Sequence, residues 1–143
     1  MNFYNLILLV VMSPTTNEII SQDLKEHQWD NRLVLLLVED TLDENYQQQI
    51  ENFERESKGL EDRKLIIYQV QKNQYKAGLE KEDWKSSDHL WKKYKKTEAP
   101  FEFILIGLDG GVKLRKTDYF STEELYKIID VMPMRMQELR KGK

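Results

Sequence analysis

The chain has no cysteine, and only two histidines, three prolines and six glycines among its 143 residues. Without cysteine there are no disulfides, no thiol catalysis, no thiolate zinc sites and no iron–sulfur ligation. Two histidines cannot build a histidine-rich metal centre. Neither sign of charge dominates: 22 basic residues stand against 25 acidic ones, a net charge of −3. That balance lacks the global electrostatic footprint of a nucleic-acid binder. Long apolar runs are missing too. The longest, Leu6–Met12, has seven residues, against the ~20 that span a bilayer as a helix, so no transmembrane anchoring is expected. There is no internal repeat and no low-complexity tract. What remains, 33% charged and 40% hydrophobic residues, is the composition of one folded domain rather than of a disordered chain.

Leu6–Met12 has the length of a secretory apolar core. No Lys or Arg precedes it and no Ala-x-Ala site follows it. Residues 1–20 are read as a signal peptide or N-terminal segment, which places the protein in the periplasm or outside the cell. The alternatives are an extra element packed on the domain, and cytoplasmic residence. Thr15–Asp23 is polar and reads as a linker. The folded domain is taken as residues 22–140.

Arg32-Leu33-Val34-Leu35-Leu36-Leu37-Val38 is a short continuous apolar run, the pattern of a central strand buried on both faces. Thr41-Leu42-Asp43-Glu44 has capping-box spacing. Tyr46, Ile50 and Phe53 then share one helical face, which predicts a helix over 43–58 with Gly59 as its stop. Leu65–Val70 reads as a second strand, joined to the first by a parallel, right-handed crossover. Residues 71–85 are polar and read mostly as loop. Ser87 is placed to cap a short helix carrying Leu90, Trp91 and Tyr94. Phe101–Leu108 is a third strand, Asp109-Gly110-Gly111 a tight turn, and Val112–Lys116 a half-exposed edge strand completing a hairpin. Ser121-Thr122-Glu123-Glu124 opens a last helix with Leu125, Ile128, Ile129 and Met132 on its buried face, and Pro133 ends or kinks it. The order β-α-β, linking helix, β-β-α is an α/β plan. It resembles the thioredoxin-like fold: a mixed four-stranded sheet of order 2-1-3-4 with helices on both faces. Pro100 stands where such proteins often hold a cis proline, so both isomers of the Ala99–Pro100 bond are open.

Three segments carry a more specific resemblance. Phe103–Arg115, with its Ile106-Gly107-Leu108-Asp109-Gly110-Gly111-Val112-Lys113-Leu114-Arg115 core, Ile129-Asp130-Val131-Met132-Pro133-Met134-Arg135, and Trp29–Leu35 resemble signatures of the P-DUDES family. This is a domain of unknown function found in bacterial proteins and repeated in a vertebrate secreted matrix protein. The likeness covers roughly residues 22–140. Leu108 departs from it, since the family usually has Lys there. The resemblance implies a thioredoxin-like or peroxiredoxin-like fold, often exported, and brings no established reaction.

Where thioredoxin-like enzymes keep the reactive cysteine, this chain has Glu39-Asp40-Thr41-Leu42-Asp43-Glu44. Thr41 lacks a neighbouring base and reads as a helix cap. Glu39, Asp40, Asp43 and Glu44 offer oxygens of the kind that hold Ca²⁺ or Mg²⁺, but without the spacing of a dedicated loop, and an acidic helix start explains them as well. Trp91-Lys92-Lys93-Tyr94-Lys95-Lys96 interleaves aromatics with lysines, either as an anionic-polymer patch or as an amphipathic helix with solvated lysines. Residues 39–62 carry nine acids and two bases, whereas 91–96 carry four bases. His27 and His89 are isolated surface or boundary residues. Met132, Met134 and Met136 read as adaptable core packing. Arg115 and Arg135 lie inside the family-like segments and are the candidate ligand or partner residues; no catalytic, cofactor or metal residue is named. The leading expectation is a non-catalytic domain that binds a protein or an anionic polymer, or serves as a structural module. Nucleic acid and cofactors are not expected. The alternative is an enzyme with a cysteine-independent acid–base or metal site.

Overall fold

The computed structural model describes residues 24–81 and 83–142, so the expected leader lies outside the described residues. A 3-10 turn, Leu24–His27, leads into β1 (Arg32–Val38), in which every residue is buried. An all-apolar strand can be satisfied only with a neighbour on each edge and a layer on each face. β1 gets both. On one edge it pairs in parallel with β2 (Leu65–Gln71), and on the other antiparallel with β5 (Phe101–Ile106). The crossover carries α1 (Glu44–Glu54) and α2 (Ser57–Asp62). The hairpin partner of β5 is β6 (Val112–Lys116). The turn between them needs Gly110, whose φ is +82°.

Alternate residues of β1 feed two cores. Val34, Leu36 and Val38 pack with Phe101, Phe103 and Leu105 under α1, α2 and α4 (Thr122–Asp130), through Phe53, Leu60, Leu125 and Ile129. Leu33, Leu35 and Leu37 pack with Ile104, Ile106, Tyr68 and Val70 under the N-terminal turn and α3 (His89–Tyr94), through Leu24 and Leu90. Each fully buried side chain of this kind contributes roughly 1.5–3 kcal/mol. α5 (Pro133–Lys141) starts on its proline, where a missing N–H costs nothing, and closes the amino end of β1.

Among the described residues the sheet has six strands, not four, in the order β4-β3-β2-β1-β5-β6. The four expected strands appear as β2-β1-β5-β6. The two extra ones, β3 (Gln74–Ala77) and β4 (Lys85–Ser86), lie in the polar stretch read as loop. β3 buries one large side chain, Tyr75, against Tyr68, and its Gln74 and Lys76 are only half-buried. An edge strand with so little apolar content leaves no period-2 signal.

Other expectations are corrected locally. The helix over 43–58 is two helices, and Gly59 lies inside α2 rather than stopping α1. Its reason is contact: a Cβ there would meet ring carbons of Tyr126 at 2.9 Å. Asp43, not Thr41, caps α1, its carboxylate accepting the Tyr46 N–H at 3.0 Å. The Ala99–Pro100 bond is trans. Met134 and Met136 are 37% and 42% exposed, so they are not core. Asp88, not Ser87, is the cap position of α3, without a side-chain cap hydrogen bond, and Ser87 one residue earlier accepts the His89 N–H at 3.2 Å; Ser121 does cap α4, accepting the Glu124 N–H at 3.2 Å. Leu108, the departure from the family-like pattern, is buried, and its carbonyl accepts the Trp29 N–H.

The polar face of α1 also has a task that its composition hides. Asn45, Gln49 and Asn52 follow at i, i+4 and i+7 and hold the backbone of Tyr119, Phe120 and Thr122. Side-chain amides can satisfy a buried loop's N–H and C=O groups in pairs, as Gln49 does on Phe120 with two bonds of 2.9 Å. The loop between β6 and α4 is thereby fixed at the carboxyl end of the parallel pair.

Candidate functional site

β5 reads Phe-Glu-Phe-Ile-Leu-Ile, and Glu102 is the one charged side chain in it. Strand alternation sends Phe101 and Phe103 into the α1–α4 core, so Glu102 faces the α3 side. It is 0% exposed. Removing a carboxylate from water is costly unless it is paired and hydrogen-bonded. The turn after α3 supplies this. Thr97 donates its N–H at 2.7 Å and its hydroxyl at 2.5 Å to Glu102 Oε1, and the Lys96 N–H donates at 3.3 Å. Arg115 on β6 donates Nη1 to Oε2 at 2.7 Å and also to the Tyr94 carbonyl at 2.8 Å. The Lys95 ammonium stands 3.8 Å from Oε1 and donates to the Thr97 carbonyl. Burial pushes the Glu102 carboxyl up, but the Thr97 and Lys96 hydrogen bonds and the Lys95 charge outweigh it and hold it below the ordinary glutamate value.

One buried carboxylate therefore organises more cations than it can neutralise. Around it opens a groove of about 640 Å³ at the carboxyl ends of β1 and β2. Lys72 comes from the end of β2, and Lys92, Lys95 and Lys96 from α3 and its turn, around Trp91. Glu39 and Glu98 complete the lining. Lys95 lies 5.4 Å from the Trp91 ring centre, and Lys92 pairs with Asp88 at 2.7 Å. Thr97 also borders a second depression of about 480 Å³ with Arg115, Lys116, Asp118, Tyr119 and Glu124.

The second ionic cluster lies at the amino end of the parallel pair. Arg135, 4% exposed, donates to Asp62, Asp130 and Glu138 and to the Asp62 carbonyl. Arg63 forms a two-pronged pair with Asp130 at 3.0 and 2.8 Å and lies 3.7 Å over the Tyr126 ring. Arg32, 1% exposed, is held by Glu138 and the Arg63 carbonyl, with its Nη2 left unpartnered. The Arg63 guanidinium holds Asp130 below the ordinary aspartate value against the opposing effect of burial, with help from Arg135.

The two sequence candidates are thus at opposite ends of the sheet. Arg115 belongs to the open, cation-rich corner and is 24% exposed on its side chain; Arg135 is enclosed among carboxylates. Lys72 was not singled out by its own surroundings, since only the fold brings it to α3. Glu102 and Thr97 were also missed. A lone Glu inside an apolar strand run was the available signal. Asp40 and Asp43 accept backbone N–H groups of Leu42 and Tyr46, and among the described residues no group of three or more Asp, Glu or His side chains converges as a metal site. His27 makes a 2.7 Å hydrogen bond with the Tyr68 hydroxyl, whose pKa burial pushes up to about 12. A further groove of about 670 Å³ between α1–α2 and β2–β3 is floored by Leu60, Ile67 and Leu79 and rimmed by Glu54, Glu61 and Glu80. No helix among the described residues is long and apolar enough to cross a membrane.

Comparison with curated proteins and with solved structures finds no match to this chain. A family model does match, over residues 23–138, which takes in both ionic clusters and all six strands. The chain belongs to the family described as Domain of unknown function (DUF4174).

Proposed function

We propose that this chain is a binding module of thioredoxin-like plan, related to P-DUDES domains and working outside the cytoplasm, and that it takes an anionic ligand in the groove at the carboxyl ends of β1 and β2. The β2-β1-β5-β6 order and its two helical layers support the plan, with β3 and β4 as an added edge. The apolar run Leu6–Met12 supports export. The observation that carries the binding reading is the row of lysines on one groove: Lys95 and Arg115 share the single charge of Glu102, Lys92 pairs with Asp88, and Lys72 and Lys96 face the groove beside Glu39 and Glu98. Open α/β sheets hold ligands in the crevice beyond the carboxyl ends of their strands.

Each part has a role in such binding. Glu102 fixes the turn after α3 through Thr97 and Lys96, so the lysines are presented from a rigid backbone. Preorganisation of this kind reduces the ordering cost of association. Arg115 acts as a positioning residue through Glu102 and the Tyr94 carbonyl. Arg135 acts as a clamp between α2, α4 and α5. The rival enzyme reading needs a proton-exchanging group open to substrate. The buried carboxylate at this corner is instead kept ionised and enclosed.

The test is titration of the folded chain with oligogalacturonate, inorganic polyphosphate and poly-glutamate. Binding of at least one at low salt is expected, weakening as salt screens the lysines, and lost in the double variant Lys72→Glu, Lys96→Glu. No binding of any of the three at low salt overturns the reading.

A further inference from the structure

The groove is not isolated. Thr97 borders both it and the depression beside β6, so one path with cations at intervals runs from Lys72 and Lys96 over Thr97 to Arg115 and Lys116. The ridge between them is stiff, because the Thr97 N–H and hydroxyl are both committed to Glu102. A single small anion would use one side only. A chain that carries charges at intervals would use both.

The path is also not uniformly basic. Glu39 and Glu98 line the first depression, and Asp118 and Glu124 the second. An unbroken row of phosphates offers these carboxylates nothing but repulsion, since phosphodiester oxygens only accept hydrogen bonds. A chain of acidic sugars differs in kind. Its carboxylates meet the lysines, and the hydroxyls between them donate to protein carboxylates, which are acceptors only. Trp91 adds an aromatic surface beside the lysines.

We infer, building on the binding reading above, that the ligand is a linear acidic polysaccharide laid across Thr97 in both depressions. Binding on both sides of the ridge makes the second contact intramolecular, so affinity rises with chain length.

The intact chain is titrated with galacturonate disaccharide and decasaccharide, with polyphosphate and with single-stranded DNA, and each variant is checked by thermal melting. The decasaccharide is expected to bind at least about tenfold more tightly than the disaccharide. Lys72→Glu and Lys116→Glu are each expected to weaken the decasaccharide by about two- to fivefold, the upper range of one exposed charge contact. Equal affinity for the two lengths, or a silent Lys116→Glu, overturns the two-sided path while leaving a single anion groove intact. Preference for polyphosphate or DNA over the decasaccharide overturns the saccharide assignment. Absence of binding by every probe removes the anion groove itself. Retained melting temperatures tie any loss to the surface contact rather than to folding.

Discussion

Both ends of the central strands carry a buried ionic cluster, yet the two differ in stoichiometry. At the amino end, Arg32, Arg63 and Arg135 face Asp62, Asp130 and Glu138, and each guanidinium bonds protein carboxylates or carbonyls, Arg32 through Nη1 alone. At the carboxyl end, one carboxylate, Glu102, holds Lys95 and Arg115 while further lysines stand outside it. Matched charges make a clamp that ties α2, α4 and α5 to the sheet. Two cations sharing one buried carboxylate, with Lys72 and Lys96 opening onto the groove beside them, put charge at the surface on a fixed base. The same side-chain chemistry gives cohesion in one place and, in the binding reading proposed above, a receptor in the other.

Removing the organising carboxylate is the most damaging way to break that contrast. Glu102→Ala leaves Lys95 and Arg115 without their counter-charge, and breaking one side of a buried pair costs about 4 kcal/mol. Urea denaturation of this variant is expected to show a loss of that order, together with loss of anion binding; a change within experimental error would refute the organising role. Arg135→Ala attacks the other end. It frees Asp130 and Glu138 from a nearly fully buried partner, with an expected loss of about 3 kcal/mol. Because Asp62 reaches water, this is set below the Glu102 effect. Oligogalacturonate affinity should stay at the parent value, and a parallel drop in affinity would join two regions that are here held separate.

Acid should act on both ends. Glu102 and Asp130 sit below their ordinary values in the folded chain. The unfolded chain therefore binds more protons through the acid range. This contribution is fully present above about pH 4, near the unfolded values, and is lost as pH falls through the depressed folded values. Glu102→Gln should flatten that part of the stability–pH curve, and an unchanged curve counts against Glu102 as a contributor. The smallest effect is reserved for the open lysines. Lys72→Glu or Lys96→Glu should shift stability by no more than about 0.5 kcal/mol, as surface changes do, while weakening the anion measurably. A large destabilisation would show that these lysines belong to the fold rather than to the groove.

Much of the scaffold was legible in the residues. An all-apolar run such as Leu33–Val38 can only be central, and Asp109-Gly110-Gly111 between two strand patterns can only turn. Pro133 announced a boundary because it lacks an N–H, and α5 does begin on it. β3 was not legible, because its single buried Tyr75 is paired by tertiary contact rather than marked by alternation. Thr41 and Asp43 were both chemically able to cap α1, and the backbone path chose Asp43. Periodicity marked only the apolar face of α1, and gave no sign that Asn45, Gln49 and Asn52 commit their amides to the loop before α4.

For the site the division is sharper. The Trp91–Lys96 segment displayed its lysines openly, and Arg115 stood out within a family-like segment. That Arg115 and Arg135 do unlike things was invisible, since each is simply an arginine near an element's end. Composition and periodicity settled which surfaces must be hidden, because burial of apolar area depends on residue type and local spacing. Which charges find partners was settled by the fold alone. An ion pair depends on distance and desolvation, and Glu102 meets Arg115, and Lys72 comes to line the same groove as Lys96, only after the strands have been laid side by side.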